Sequence, residues 1–149
     1  MPTLVLGANT PIPHTPCQVT VTSQNASRFG VEMGCVWIAM DESRRATTSP
    51  AYLHESKDWA ALTVESEKNH VWTLDLANVF SQNQTQYLQL IVYAYQDASV
   101  IAPAVEVNDI SIKVSNDIDY TFHTPERHIK ASIVLEIYQR NGQYKCRAL

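Results

Sequence analysis

Apolar residues fall at every second position through much of this chain, and the pattern is clearest at its end. Ile133, Leu135 and Ile137 alternate with Val134, Glu136 and Tyr138, a period of two that predicts a strand with its first set buried. Beyond Asn141-Gly142 the alternation resumes, with Tyr144, Cys146 and Ala148 on one side and Lys145 and Arg147 on the other. Asn-Gly takes the two positive-φ positions of a type I′ turn more readily than other pairs, so residues 133–148 read as a β-hairpin.

The same signal recurs upstream. Leu4, Val5 and Leu6 form a short apolar run ended by Gly7, and prolines 11, 13 and 16 keep the next stretch extended. Val19 and Val21 alternate with polar neighbours over residues 18–22, while residues 33–40 are almost wholly apolar and suit a central strand. A polar loop is expected over residues 41–57, then a hairpin pairing residues 59–64 with 70–76. Asp75 heads a short helical turn running to Val79. Residues 87–95 are apolar on both faces and belong inside the packed structure. Ile110, Ile112 and Val114 mark another strand, with a turn at residues 115–117 and a short strand from 118 to 122. Thr124-Pro125-Glu126-Arg127 reads as a second brief helical start. Eight to ten mostly antiparallel strands with one or two helical turns predict an all-β fold, a two-sheet β-sandwich, with a closed barrel as the alternative.

Composition narrows the class. The chain has 149 residues, 45% hydrophobic and 17% charged, and no repeat or linker divides it, so one domain over residues 1–149 is expected. A net charge of −4 with scattered basic residues argues against a nucleic-acid groove. The basic residues gather loosely at only two places, Arg44-Arg45 and Arg140 with Lys145 and Arg147. Cys17, Cys35 and Cys146 are odd in number and form no C-x-x-C pair, which fits buried free thiols in a reducing cytoplasm. No apolar run approaches the roughly 20 residues of a transmembrane helix, and the amino terminus lacks the marks of a signal peptide.

Three stretches resemble the TerD domain family of tellurium-resistance and general-stress proteins. The closing Glu136-Ile137-Tyr138-Gln139-Arg140-Asn141-Gly142-Gln143-Tyr144-Lys145-Cys146-Arg147-Ala148-Leu149 is similar to that family's final hairpin. Residues 4–13 resemble its opening strand and proline turn, and Trp72-Thr73-Leu74-Asp75-Leu76-Ala77-Asn78-Val79, then residues 87–95, its middle turn followed by a buried strand. The resemblance implies a two-sheet β-sandwich and a role in chemical stress. Calcium-binding members carry Asp-Leu-Asp-Ala-Ser on their third strand; here Val31-Glu32-Met33-Gly34-Cys35 stands in its place. Their acidic Gly-Asp-Asn loop is missing as well. Calcium takes six to eight oxygen ligands, so the resemblance implies a member that has lost the metal site and needs no cofactor. Other proteins of a stress system are the partners it implies.

The remaining chemistry is sparse. Asp109, Asp117 and Asp119, with Glu32, are the candidates for a residual Ca2+ site under the alternative reading; the aspartates read first as solvated turns between strands, because they fall short of a converging ligand set. Five histidines lack the spacing of a zinc enzyme and read as surface residues. No nucleophile elbow or phosphate-binding glycine loop is present, so no enzyme is expected. Tyr87, Tyr93, Tyr95 and Tyr120 read as core rings with hydroxyls at the rim, and Arg44-Arg45 as a solvated loop.

Overall fold

The structure, a computed structural model, describes residues 9–12, 17–23, 31–52, 57–65, 69–96, 110–115, 118–122 and 131–149. Among the described residues, eleven strands and one helix run in chain order: β1 (Asn9–Pro11), β2 (Cys17–Ser23), β3 (Val31–Met40), β4 (Ala51–Tyr52), β5 (Ala60–Glu65), β6 (Asn69–Leu74), α1 (Leu76–Phe80), β7 (Tyr87–Gln96), β8 (Ile110–Val114), β9 (Ile118–Phe122), β10 (Ala131–Arg140) and β11 (Gln143–Ala148). They form two antiparallel sheets. One has six strands in the order β1-β11-β10-β7-β3-β4, the other five in the order β5-β6-β2-β8-β9. The all-β sandwich expected from the alternation is what the chain forms. The strands beyond the expected count are the short β1 and β4, too brief for periodicity to register. The run at residues 4–6 and the helical start at 124–127 lie outside the described residues.

The core lies between the sheets. Cys35, Trp37 and Ala39 of β3, Leu88, Leu90 and Val92 of β7, and Leu135 and Ile137 of β10 turn inward from the six-stranded sheet, all fully buried. Val19 and Val21 of β2, Trp72 and Leu74 of β6, and Ile112 and Val114 of β8 meet them from the other. Trp37 and Trp72 touch edge to face across the gap, their ring centroids 6.5 Å apart. Truncating either indole to alanine removes about 3–5 kcal/mol of packing. Helix α1 adds its apolar side to this core. Asp75 caps it by accepting from the Asn78 backbone N–H at 3.1 Å, and Leu76, Val79 and Phe80 are buried.

The closing hairpin forms as read. Asn141 and Gly142 both adopt positive φ, 52° and 76°, and Arg140 pairs with Gln143. One detail of its first strand is corrected. Ile133 was expected to share the buried face of Leu135 and Ile137. Instead Ile133 pairs with Ile91 and Leu135 with Leu90, so Val134 is an extra residue, a β-bulge that reverses the phase of the strand. Ile133 is therefore turned outward, 42% exposed, while Val134 is buried.

Gly34 permits a close approach in the same sheet. It pairs with Tyr93, whose ring lies across it, and a Cβ built on Gly34 would overlap the ring. Burial, with Cys35 and Tyr52 nearby, pushes the Tyr93 hydroxyl above its ordinary pKa. We expect Gly34→Ala to swing the ring off the sheet and cost about 1–2 kcal/mol in urea unfolding. The Tyr93 hydroxyl should then titrate nearer to an ordinary tyrosine in a spectrophotometric titration. A variant with wild-type stability and titration would contradict this packing.

Candidate functional site on the outer face of the six-stranded sheet

The two outer faces of the sandwich differ in kind. On the five-stranded sheet, alternation turns Gln18, Thr20 and Thr22 of β2, Asn69, Val71 and Thr73 of β6 and Ser111 and Lys113 of β8 outward, a mostly polar surface interrupted by Val71. On the six-stranded sheet the outward residues form rows across strands. Tyr52, Val36, Ile91 and Ile133 are paired in succession over β4, β3, β7 and β10, giving an apolar row. One step along the strands, Ile38, Gln89, Glu136 and Arg147 make a row that turns polar toward β11. One step further stand Met40, Tyr87, Tyr138 and Lys145.

Glu136 is the centre of this face. It sits at an outward position yet is only 1% exposed. Arg44 forms an ion pair and hydrogen bond with its Oε2, and Gln89 Nε2 donates to the same oxygen at 2.8 Å. Oε1 is buried without a hydrogen-bond partner, with Arg147 Nη1 3.9 Å away. Each guanidinium is backed by a ring: Arg44 lies 3.7 Å above the centre of Tyr87, and Arg147 5.0 Å from that of Tyr138. The aromatic backing holds both flat and turns spare N–H donors to solvent, the side chains being 46% and 37% exposed.

A tight turn delivers Arg44. The Asp41 carboxylate accepts from the backbone N–H groups of Ser43 at 2.9 Å and Arg45 at 3.0 Å. The Asp41 backbone closes the turn, donating to Arg45 at 2.9 Å and accepting from Arg44 at 3.0 Å. Arg44 itself has φ 66°, a left-handed conformation that costs an arginine about 1 kcal/mol. The surrounding bonds offset that strain and aim the side chain over β7 toward β10.

This corrects two expectations. Arg44 is not simply solvated, and Glu136 is not a solvent-facing strand residue. The two basic groups seen in sequence, Arg44-Arg45 and Arg140 with Lys145 and Arg147, meet on one sheet face through Arg44. Glu136 and Arg44 are 92 residues apart, so no local pattern announces their contact. The expectation of core rings is corrected at two of the tyrosines: Tyr87 and Tyr93 are half-buried on the outer face, because they fall on the strand phase opposite to Leu88, Leu90 and Val92.

The acidic candidates are placed only in outline. Glu32 is in β3, paired with Tyr95, in the six-stranded sheet. Asp119 is in β9, paired with Lys113, at the edge of the five-stranded sheet. Asp109 and Asp117 lie outside the described residues. Among the described residues, no group of three His, Cys, Asp or Glu side chains is arranged to hold a metal ion.

The cysteines are free and fully buried. Burial pushes the Cys17 thiol up to about 11 and the Cys35 and Cys146 thiols up to about 12. Smaller effects partly oppose it: Ser115 bonds to Cys17, and the Trp72 indole lies beside Cys35. Cys35 Sγ also sits 3.4 Å from His70 Nδ1, but both groups are buried and the thiol stays protonated. This pair, unlike an activated thiolate, is a core contact. His70, expected at the surface, is only 3% exposed. It stands at an inward position of β6, where the tertiary fold supplies a partner.

Compared with protein-family models and with curated proteins, the chain matches none. Among the described residues, no helix is long and apolar enough to cross a membrane.

Proposed function

We propose that this chain is a non-catalytic module that works by binding other proteins, in a stress-response system of the tellurium-resistance kind. Its place would be the reducing cytoplasm, which suits three unpaired thiols. The observation carrying this reading is the asymmetry of the two outer faces. A sandwich that only had to be stable would present polar residues on both, whereas the six-stranded sheet presents an apolar row beside backed guanidinium groups. The similarity of the closing hairpin to TerD proteins supports the stress assignment. The buried, protonated thiols are unsuited to nucleophilic catalysis.

Two measurements test the reading. A photo-cross-linking residue at Ile133 should trap stress-system proteins in cells exposed to tellurite, and the same residue at Thr20 on the polar face should trap none. Identical partner lists from both positions would count against it. Calcium titration followed by calorimetry should give neither heat nor a change in melting temperature. A ligand selective for the folded state stabilises it by about 2.7 kcal/mol at a hundredfold excess over its Kd. A calcium-dependent rise of that order would replace this reading with a metal-binding one.

A further inference from the structure

We propose that the outer face of the six-stranded sheet docks an extended segment of another protein, one carrying an acidic residue two positions from an aliphatic one. The inference rests on the protein-binding reading above and specifies its surface and partner. Charge complementarity carries it. The chain is acidic overall, at −4, yet this face gathers Arg44, Arg147, Lys145 and Arg140 around the buried carboxylate of Glu136. That carboxylate is buried and already holds Arg44. Arg147 stays beyond hydrogen-bond reach of it, 3.9 Å away, so its fork of donors is open to a carboxylate from outside. Ring backing by Tyr87 and Tyr138 fixes both guanidinium groups in advance, which lowers the ordering cost of binding.

The apolar half of the motif follows from strand geometry. Gln89, in the row of Glu136 and Arg147, is two residues from Ile91, in the row of Val36 and Ile133. Two residues along a strand span about 6.7 Å, so a partner in extended conformation matches both rows with side chains two positions apart. The bulge at Val134 enlarges the apolar row by turning Ile133 outward. A second copy of this chain is a poorer occupant. A two-fold contact through this face would bring the same basic groups toward one another. Nucleic acid is poorer still, since the row beside the cations is aliphatic.

The test is selection from a random-peptide library on the immobilised full chain, followed by methyl NMR of the complex. The expected result is enrichment of peptides with Asp or Glu two positions from Leu, Ile or Val. Their binding should weaken as salt rises, and the perturbed methyl signals should be those of Val36, Ile91 and Ile133. Ile133→Asp and Arg147→Glu should each reduce affinity about tenfold or more. Ile133 is already exposed, so its variant should keep the wild-type melting temperature; Arg147→Gln serves if Arg147→Glu disturbs Glu136. Peptides that bind equally to the wild type and both variants would overturn this surface while leaving the protein-binding reading standing. No enrichment over a bare support would overturn both. A concentration-dependent dimer lost in Ile133→Asp would give the face to a second copy and overturn the heterologous partner.

Discussion

Stability to urea should stay level from pH 6 to about pH 8 and then fall steeply, because three buried thiols resist ionisation in the folded state. Cys17, Cys35 and Cys146 are held at about 11, 12 and 12, against the ordinary value of 9.0 that each regains on unfolding. The sign follows from proton counting. Below about pH 8 both states hold all three thiol protons, and the stability set by burial is fully present. Between about pH 9 and 11 the unfolded chain has released protons that the folded chain keeps, so unfolding gains on folding as pH rises. Each such proton contributes about 1.4 kcal/mol per pH unit, and three together approach 4 kcal/mol per unit. Small domains have about 5–15 kcal/mol in total, so cooperative unfolding is expected before pH 11. Replacing all three cysteines by alanine should lower the neutral-pH midpoint, through small cavities, but flatten the alkaline slope. A thiol reagent should find no reactive cysteine in the native protein and three after denaturation. A midpoint unchanged to pH 10, or the same slope in the triple variant, would refute this account.

Removing Arg44 should cost about 2–3 kcal/mol, far more than an ordinary surface arginine. Glu136 is 1% exposed, and without Arg44 its Oε2 keeps only Gln89 while Oε1 has no hydrogen bond at all. Breaking a buried ion pair from one side costs about 3–5 kcal/mol. The lower figure applies here because Arg44 is itself nearly half exposed, and water screens part of the interaction. Glu136→Met should be close to neutral, since it removes the charge that needs company and leaves both arginines free to reach solvent. The double variant Arg44→Ala with Glu136→Met should therefore recover most of the loss, a coupling of about 2 kcal/mol in a double-mutant cycle of urea unfolding. If Arg44→Ala changes stability by less than about 0.5 kcal/mol, Glu136 is not held in the way described. The cycle also separates structure from binding. Glu136→Met leaves Arg147 and the apolar row in place, so peptide binding should survive it, whereas Arg147→Glu should weaken binding about tenfold or more.

How much of this was readable from the chain differs from element to element. The closing hairpin, the paired strands at residues 60–74, the helix capped by Asp75 and the central strand β7 were all legible, because each depends on neighbours within about ten positions. Side-chain alternation and turn-forming dipeptides are local properties, and they survive in the fold wherever nothing interrupts them. The bulge at Val134 did interrupt them. A single unpaired residue changes no composition and leaves alternation intact on either side, so the period alone assigns Ile133 to the core when it faces out. The site was less legible. Glu136 looked like the solvent-facing member of a half-buried strand, and Arg44 like part of a polar loop.

By itself, then, the order of apolar and polar residues determined an all-β chain, the places where it turns, and which residues form the floor of the core. The tertiary structure alone decided that one outer face would set an apolar row beside charged groups while the other stayed mostly polar, and that arginines from a loop and from the last strand would converge on the Glu136 carboxylate. The reason is physical. Strand period and turn preference are written within a few residues, whereas cross-strand register and the turn at Asp41 together bring side chains 92 positions apart into contact. Only that register, shifted once by the bulge, sets which of them share a surface.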